Sequence, residues 1–453
     1  MAPRTAEEIG RTELGPRELP PLAHQRIAIA PSSIDTVLPN GLRVIAVRSL
    51  SVPMLELRLH IPFGGEDRRH PAIAEVLAET MLTGTARRDR VAVDTDLALV
   101  GGQVSAVVDP EALHIGGGAL AAGVDQLLDV LADALTSAAY RDPEVARERS
   151  RLVERIAMAR AQPGMIAREA LQRERYGDHP YAHEVPEADD VASVTAQEVR
   201  ALHTASVLPR GATLVLVGSL DPERVVSDVE RAFADWSGDT SAVQMLALPP
   251  VTGGDLRLVH RPGAVQSQLR LSAQAVPRTD PRYPALQLAN LAYGGYFSSR
   301  LVENIREDKG YTYHAHSGFE FSRSGATLLV DTDTATDVTA AALLEVRHEL
   351  ARLAVVPPKE SETETVRRYA IGILATTTAS QAGLASQLVA LASVGLGAEW
   401  LAGHPARLEA VTSEEIAEVA RVFYNPAAYT GVVVGDADVI GESLRVLGGV
   451  TLP

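Results

Sequence analysis

The chain contains no cysteine, so a metal site would have to use histidine, aspartate or glutamate side chains. His179 and His183 are four residues apart, a spacing that suits two ligands on one face of a helix. Gly177 and Pro180 instead indicate a loop, in which residues four apart do not share a face. We therefore do not expect this histidine pair to bind zinc.

Two further pairs have suitable spacings. His314 and His316 are two residues apart on a predicted strand and would point the same way, but the sequence places no acidic third ligand beside them. Glu75 and Glu79 would share one face of a predicted helix. Two carboxylates can contribute to a Mg²⁺ or Ca²⁺ site, yet such ions need more oxygen ligands than are visible. We favour a solvated acidic pair.

The elements that would position these residues occur twice. The segment that begins at Val194 matches the segment that begins at Val411, at an offset of 217 residues and without a gap. Each copy has a helix-start threonine, a helical pattern, a proline-containing turn and a β-branched strand, TLVLVG or TGVVVG. The chain is therefore predicted to contain two copies of one α+β unit.

We predict four segments: a flexible leader at 1–27, a first domain at 28–236, a linker at 237–255 and a second domain at 256–453. Hairpin patterns, such as TVLPNGLRVIAV, come before long helical patterns in each half. This order favours an α+β fold in which each domain has an antiparallel sheet with helices on one face.

Composition excludes several classes of function. The net charge of −16 argues against nucleic acid as a partner, because nucleic-acid affinity depends on clustered basic residues. No segment is apolar for long enough to suggest a membrane span, and the N-terminal residues lack the apolar stretch of a secretory signal. We expect a soluble cytoplasmic protein without a membrane partner.

Six strings together resemble the pitrilysin/insulinase family of zinc peptidases, which includes the mitochondrial processing peptidases. They occur in the family's order and cover nearly the whole chain: TVLPNGLRVIAV, FGGEDRRHPAIAEVLAETMLTGTARR, LVGGQVSAVVD, YGDHPYAHEVPE, HRPGAVQSQLRL and GGYFSSRLVENIREDKGYTY. The resemblance implies the family's processing-peptidase-like metallohydrolase fold with two homologous domains.

Active members of that family carry His-x-x-Glu-His, in which two histidines bind zinc and the glutamate activates water. Aligned on the Thr-Gly-Thr that ends the element, this chain has Glu75 and Glu79 at the ligand positions and Ala78 at the base position. The resemblance places the third ligand at Glu154 or Arg155, and the sequence leaves that register open. The motif is degenerate, and we expect no zinc in this chain.

The second half keeps a different part of the family's active site. The resemblance implies an arginine and a tyrosine, spaced R-x6-Y, that donate hydrogen bonds to the scissile carbonyl. This spacing is present in IREDKGYTY and assigns the two roles to Arg306 and Tyr313. We expect both residues to act in trans, at the zinc site of a partner subunit.

The resemblance also implies an edge strand that aligns the substrate peptide through main-chain hydrogen bonds. The corresponding substrate-binding residues are Gly102, Gln103, Val104, Ser105 and Ala106. Strand addition uses backbone groups, so it survives changes of side chain. The sequence does not show whether this strand lies at an edge.

Together these features predict a catalytically incomplete subunit of a heterodimeric metallopeptidase. It would be inactive alone and cleave peptides only with a homologous His-x-x-Glu-His subunit, which would hold the zinc. Two alternatives stay open: a structural subunit like the peptidase-derived core proteins of respiratory complexes, and a stand-alone peptide-binding or chaperone-like chamber.

Overall fold

A computed structural model describes residues 32–238 and 245–453. The predicted leader at 1–27 and part of the predicted linker lie outside the described residues. The first half contains the strands β1 (Ser33–Val37), β2 (Arg43–Arg48), β3 (Met54–Pro62), β4 (Gln103–Val108), β5 (Ala112–Leu120) and β6 (Thr213–Gly218). Its helices are α1 (His70–Thr80), α2 (Arg90–Leu99), α3 (Val124–Ser137), α4 (Asp142–Arg160), α5 (Pro163–Tyr176), α6 (Ala188–Ala192), α7 (Ala196–Ser206) and α8 (Pro222–Ala232).

The second half repeats this plan. Its strands are β7 (Leu256–His260), β8 (Gln266–Gln274), β9 (Thr312–Ser322), β10 (Gly325–Ala335), β11 (Thr430–Gly435) and β12 (Val450–Thr451). Its α-helices are α9 (Tyr283–Asn290), α10 (Arg300–Val302), α11 (Thr339–Val355), α12 (Glu360–Ala379), α13 (Gln381–Ala392), α14 (Ala398–Ala410), α15 (Ser413–Phe423) and α16 (Ala437–Leu447). Two π-helical segments, Leu291–Gly295 and Glu303–Asp308, follow α9 and α10.

Each half builds one six-stranded sheet, and the α+β class with two similar domains is confirmed. The strand order is β1-β2-β6-β3-β5-β4 in the first sheet and β12-β7-β11-β8-β10-β9 in the second. The sheets are mixed rather than purely antiparallel, because β6 pairs parallel with β2 and β11 pairs parallel with β7. Strand β6 reaches the sheet after a long helical excursion, so no tight turn forces it to run antiparallel to β2.

Local sequence signals form as predicted. The Pro-Asn-Gly turn joins β1 to β2 in an antiparallel pair, and Gly41 adopts a φ of 89°, a conformation that glycine accepts without strain. The two copies of the repeat begin with equivalent capping boxes, formed by Thr195 with Glu198 and by Thr412 with Glu415. The repeat therefore extends from sequence to local geometry.

Most helices of each half cover one face of that half's own sheet, as predicted. The opposite face is not left open, because each half lends a helix to the other. In the first sheet, Ile45 and Val215 pack against α13 of the second half. In the second sheet, Val432 and Val434 pack against α5 of the first half. This exchange of helices joins the two halves through apolar contacts.

A buried arginine adds a polar tie between the halves. The side chain of Arg175, at the end of α5, is 2% exposed and forms an ion pair with Glu320 of β9. Its Nη1 also donates to the hydroxyls of Ser272 at 3.1 Å and Thr327 at 3.2 Å. Buried charge-assisted contacts of this kind fix geometry, since breaking one leaves an uncompensated charge.

Candidate functional site

The degenerate zinc motif lies on α1, which begins with Pro71 in its first turn. The helix buries Ala72, Val76 and Leu77 against the core and contacts α4, α7 and β4. Arg69, at its start, bonds to Glu198 of the capping box of α7 at 2.7 Å. The helix at the position of the family's metal motif is therefore anchored by packing and by an ion pair, although the motif residues themselves differ.

Glu79, which the resemblance aligns with the second zinc ligand, forms an ion pair. Arg155 of α4 donates from Nη2 to Oε1 of Glu79 at 2.6 Å, and these side chains are 53% and 32% exposed. Of the two residues that the sequence left as candidates for the third ligand, both are exposed, and it is Arg155 that contacts Glu79. A guanidinium cation thus contacts the carboxylate where an active enzyme would bring its metal.

Glu75 is the neighbouring carboxyl on the same helix face. Burial raises its pKa to about 7, with Arg155 opposing the shift and the charges of Glu79 and Glu184 reinforcing it. The expectation of a solvated acidic pair is therefore wrong for Glu75. Zinc requires deprotonated ligands and, for peptide hydrolysis, a base for its water. A carboxyl whose pKa is raised to about 7, a carboxylate paired with arginine and a buried Ala78 in place of a base do not fit a catalytic zinc ion.

Among residues 32–238 and 245–453, the predicted substrate strand lies at an edge of its sheet. Four of its five predicted residues, Gln103 through Ala106, belong to β4, the last strand of the first sheet, and Gly102 directly precedes it. On its inner side β4 pairs antiparallel with β5, where Gln103 lies opposite Gly118. A Cβ atom on Gly117 would come within 2.6 Å of the Gln103 carbonyl oxygen, so glycine permits this close pairing. Strand β4 also contacts α1, which brings the edge beside the degenerate motif.

Arg306 and Tyr313 lie together at the edge of the second sheet. Arg306 belongs to the π-helical segment, a feature often found at functional sites. Tyr313 is the extra residue of a β-bulge, since Thr312 pairs with Thr334 and His314 pairs with Asp333. The Arg306 Cζ atom lies 5.4 Å from the centre of the Tyr313 ring. The pair predicted from the spacing therefore forms one surface cluster.

This cluster faces outward. Tyr313 is 89% exposed, although a tyrosine ring usually buries part of its surface. Arg306 is 31% exposed and lies 3.4 Å from Glu307, measured from Nε to Oε1. The bulge explains the exposure, because the extra residue leaves the ladder and its side chain is re-aimed. Both donors are presented to whatever binds this edge.

Three histidines that the sequence singled out, His179, His314 and His316, have contacts within the described chain. His179 caps a short 3₁₀ helix, Pro180–His183, by accepting from the backbone N–H of Tyr181 at 3.1 Å, where the sequence predicted a loop. His314 and His316 do point the same way, with ring centres 6.4 Å apart. Asp331 lies across from them, 3.9 Å from the His314 Nε2, but it also contacts Arg270 at 3.0 Å. No sequence signal pointed to this carboxylate, because it lies on another strand.

One further trio of possible ligands, His260, Asp436 and Asp438, has donor atoms within 4.8 Å of one another. Ligand atoms of His260 and Asp436 already accept hydrogen bonds from backbone N–H groups near the start of α16. His260 accepts from the backbone of Ala437 at 3.0 Å, and Asp436 accepts from Gly263 at 2.7 Å and from Asp438 at 3.1 Å. The trio is explained by helix capping.

Comparison with known proteins gives two family matches and several relatives. Residues 50–189 match the family described as insulinase (peptidase family M16), and residues 193–369 match the peptidase M16 inactive domain. The chain is 27% identical to an uncharacterized zinc protease of Streptomyces coelicolor, over 62% of this chain and 63% of the relative. It is 26% identical to a probable mitochondrial-processing peptidase subunit beta of Arabidopsis thaliana, over 60% of this chain and 52% of that protein.

Solved structures share the fold. A peptidase M16 inactive domain from Pseudomonas fluorescens superposes with a TM-score of 0.83 at 21% identity, covering 89% of this chain and 98% of that one. The periplasmic protease PqqL of Escherichia coli gives 0.74 at 16% identity, covering 92% of this chain and 49% of that one. Within the described part of the chain, no helix has the length and apolarity needed to cross a membrane.

Proposed function

Because this chain belongs to the insulinase (M16) family of peptidases, we propose that it is the zinc-less subunit of a two-chain metallopeptidase. Its partner would be a homologous subunit with an intact His-x-x-Glu-His motif and the zinc ion, and the substrate would be a peptide held in the chamber between them. The cytoplasmic location stays a prediction.

The outward presentation of Arg306 and Tyr313 carries this proposal. The tyrosine is 89% exposed on a bulge of β9, and the arginine lies against its ring. The chain's own metal position lies on α1, beside the edge of the other sheet, and there Glu79 is paired with Arg155. Two hydrogen-bond donors without a metal of their own suit an active site that is completed by another chain.

The chemistry follows from the two donor groups. When water attacks a peptide carbonyl, negative charge builds on the carbonyl oxygen. The phenol O–H of Tyr313 and the guanidinium N–H groups of Arg306 can both donate hydrogen bonds to that oxygen. Neither group needs to gain or lose a proton in this role. Their contribution is electrostatic, and it is fully available only when the partner positions the peptide.

Peptide alignment has a separate structural basis. The free edge of β4, with Gln103 to Ala106, offers backbone N–H and C=O groups to an extended peptide. The exposed side chains of Gln103 and Ser105 lie on one face and the half-buried Val104 and Ala106 on the other. The strand would guide a peptide by main-chain pairing with little demand on its sequence.

A second candidate function is a non-proteolytic structural or peptide-binding subunit. The Arg155–Glu79 ion pair is compatible with that role, since it fixes α1 to α4 without a metal. The exposed Tyr313 of the single chain fits either function, because a partner could bury its ring in an interface or bring a peptide to its hydroxyl. Peptide cleavage by the assembled complex separates the two functions.

The test is reconstitution. This chain is co-expressed with any neighbouring gene product that carries His-x-x-Glu-His, and the purified complex is assayed for composition, zinc content and cleavage of a fluorogenic peptide. We expect a stable pair with one zinc ion, and cleavage by the pair at a rate that neither chain reaches alone. Stoichiometric zinc and cleavage with this chain alone would contradict the proposal, as would a stable zinc-containing pair that cleaves no peptide.

A further inference from the structure

The guanidinium group of Arg306 contacts two exposed aromatic rings. Its Cζ atom is 5.0 Å from the centre of the Phe297 ring and 5.4 Å from the centre of the Tyr313 ring. Both distances are within the range at which an aromatic face attracts a cation. Tyr313 already has a role in the proposed function, whereas Phe297 has none.

The exposure of Phe297 calls for an explanation other than core packing. Its side chain is 63% exposed, so it adds little to the buried apolar surface of the second half. The residue lies in a turn in which the Ser299 N–H donates to the Tyr296 carbonyl at 3.2 Å. Its neighbours anchor this turn, because Ser299 is buried and the Tyr296 ring packs on Tyr369 with centres 5.1 Å apart. The phenyl ring is thus held at the surface on a fixed backbone.

Arg306 needs such a support because its other contacts are weak. Its ion pair with Glu307 spans 3.4 Å, and the Glu307 side chain is 49% exposed. Exposed pairs of this kind hold a long side chain poorly. Contacts with two aromatic rings restrict the guanidinium and leave N–H groups available to donate hydrogen bonds.

We propose that Phe297 is a positioning residue, which holds the Arg306 guanidinium in the orientation that serves the partner's active site. The inference rests on the proposed function and goes beyond it, since it concerns a residue outside the R-x6-Y spacing. Phe297 would not touch the reacting atoms. Its effect would reach them only through Arg306.

The ring can be altered in ways that separate its π-face from its volume. Phe297→Leu keeps an apolar side chain but removes the aromatic face, whereas Phe297→Trp keeps and enlarges that face. We expect Phe297→Leu to lower kcat and kcat/KM of the reconstituted pair together by about five- to thirtyfold, with KM nearly unchanged. Phe297→Trp should stay within about threefold of the wild type.

A double-mutant cycle makes the test specific. In an Arg306→Ala background, Phe297→Leu should have no further effect, because the group that it positions is gone. Val265→Ala, at a side chain that is 82% exposed elsewhere on the second half, is the matched control and should leave the rate unchanged. Thermal melting of each variant checks that folding is intact.

Two results would overturn the inference and can be told apart. If Arg306→Ala lowers the rate but Phe297→Leu does not, or if leucine and tryptophan behave alike, the positioning role fails and the proposed function stands. If Arg306→Ala itself leaves the rate unchanged, the in-trans role of the pair fails, and the positioning role fails with it.

Discussion

Replacing Tyr313 by phenylalanine removes one hydroxyl group and leaves the rest of the surface cluster in place. Within the described chain, the Tyr313 hydroxyl forms no hydrogen bond, and the side chain is 89% exposed. The phenyl ring that remains can still lie beside Arg306, so the cation–π contact is kept. We therefore expect the free energy of unfolding to change by less than about 0.5 kcal/mol.

The effect on catalysis should be much larger. Loss of one hydrogen-bond donor to a developing oxyanion typically lowers kcat by about 10²–10³, or roughly 2.7–4 kcal/mol of transition-state stabilisation. Because the hydroxyl has no partner in the described chain, none of this loss can be assigned to a broken internal contact. The prediction is a variant that folds and assembles normally but reacts slowly.

The assay is single-turnover cleavage of a fluorogenic peptide by the reconstituted pair, combined with urea unfolding of the isolated chain. Tyr369→Phe is the matched control, since Tyr369 is also partly exposed, at 38%, and also packs against an aromatic ring. The control should keep full activity. A Tyr313→Phe pair that cleaves within about twofold of the wild type would refute the assigned role.

Two other predictions concern the former zinc position. A triple variant with Glu75→His, Ala78→Glu and Glu79→His should not bind stoichiometric zinc, because the Arg155 cation stays beside the second ligand. Adding Arg155→Glu to the triple variant should restore zinc binding. Metal analysis after dialysis measures both results. The second prediction concerns the pH dependence of the free energy of unfolding, followed by urea unfolding. Because the pKa of Glu75 is raised in the folded state, the wild type should lose up to about 3 kcal/mol of this free energy as the pH rises from 4.5 to 7. Glu75→Gln should remove this loss.

Each of these predictions has a contrary result. Tight zinc binding by the triple variant would mean that Arg155 does not control the site. The free energy of unfolding of the wild type, relative to Glu75→Gln, could instead stay constant or rise across that pH window. That result would mean that the Glu75 carboxyl is not desolvated in the folded chain. The sign follows from linkage, since the unfolded state releases the Glu75 proton at lower pH than the native state does.

Features encoded by neighbouring residues could be predicted from the sequence. The Gly41 turn depends on a three-residue signal, and the paired capping boxes at Thr195 and Thr412 depend on spacings of three. The proximity of Arg306 and Tyr313 followed from a short spacing in a recognisable context. Local chemistry decides each of these features, so a single sequence is sufficient.

Features that depend on distant parts of the chain could not be predicted in this way. The parallel pairing of β6 with β2 and the exchange of α5 and α13 between the halves depend on how separate elements meet. Arg155, and not its neighbour Glu154, contacts Glu79. Consecutive residues of a helix point about 100° apart, so the position of α4 relative to α1 decides which of the two makes this contact. The bulge at Tyr313 appears only when its partner strand is known.

The most direct test of the shared active site is the cleavage rate of the reconstituted pair that carries Arg306→Ala, compared with Arg445→Ala. Arg445 is 64% exposed on α16 and serves as a charge-matched control. We predict a loss of about 10²–10³ in kcat for Arg306→Ala, with zinc content and pair formation unchanged, and no loss for Arg445→Ala. Equal rates for the two variants would contradict the conclusion that this chain completes its partner's active site.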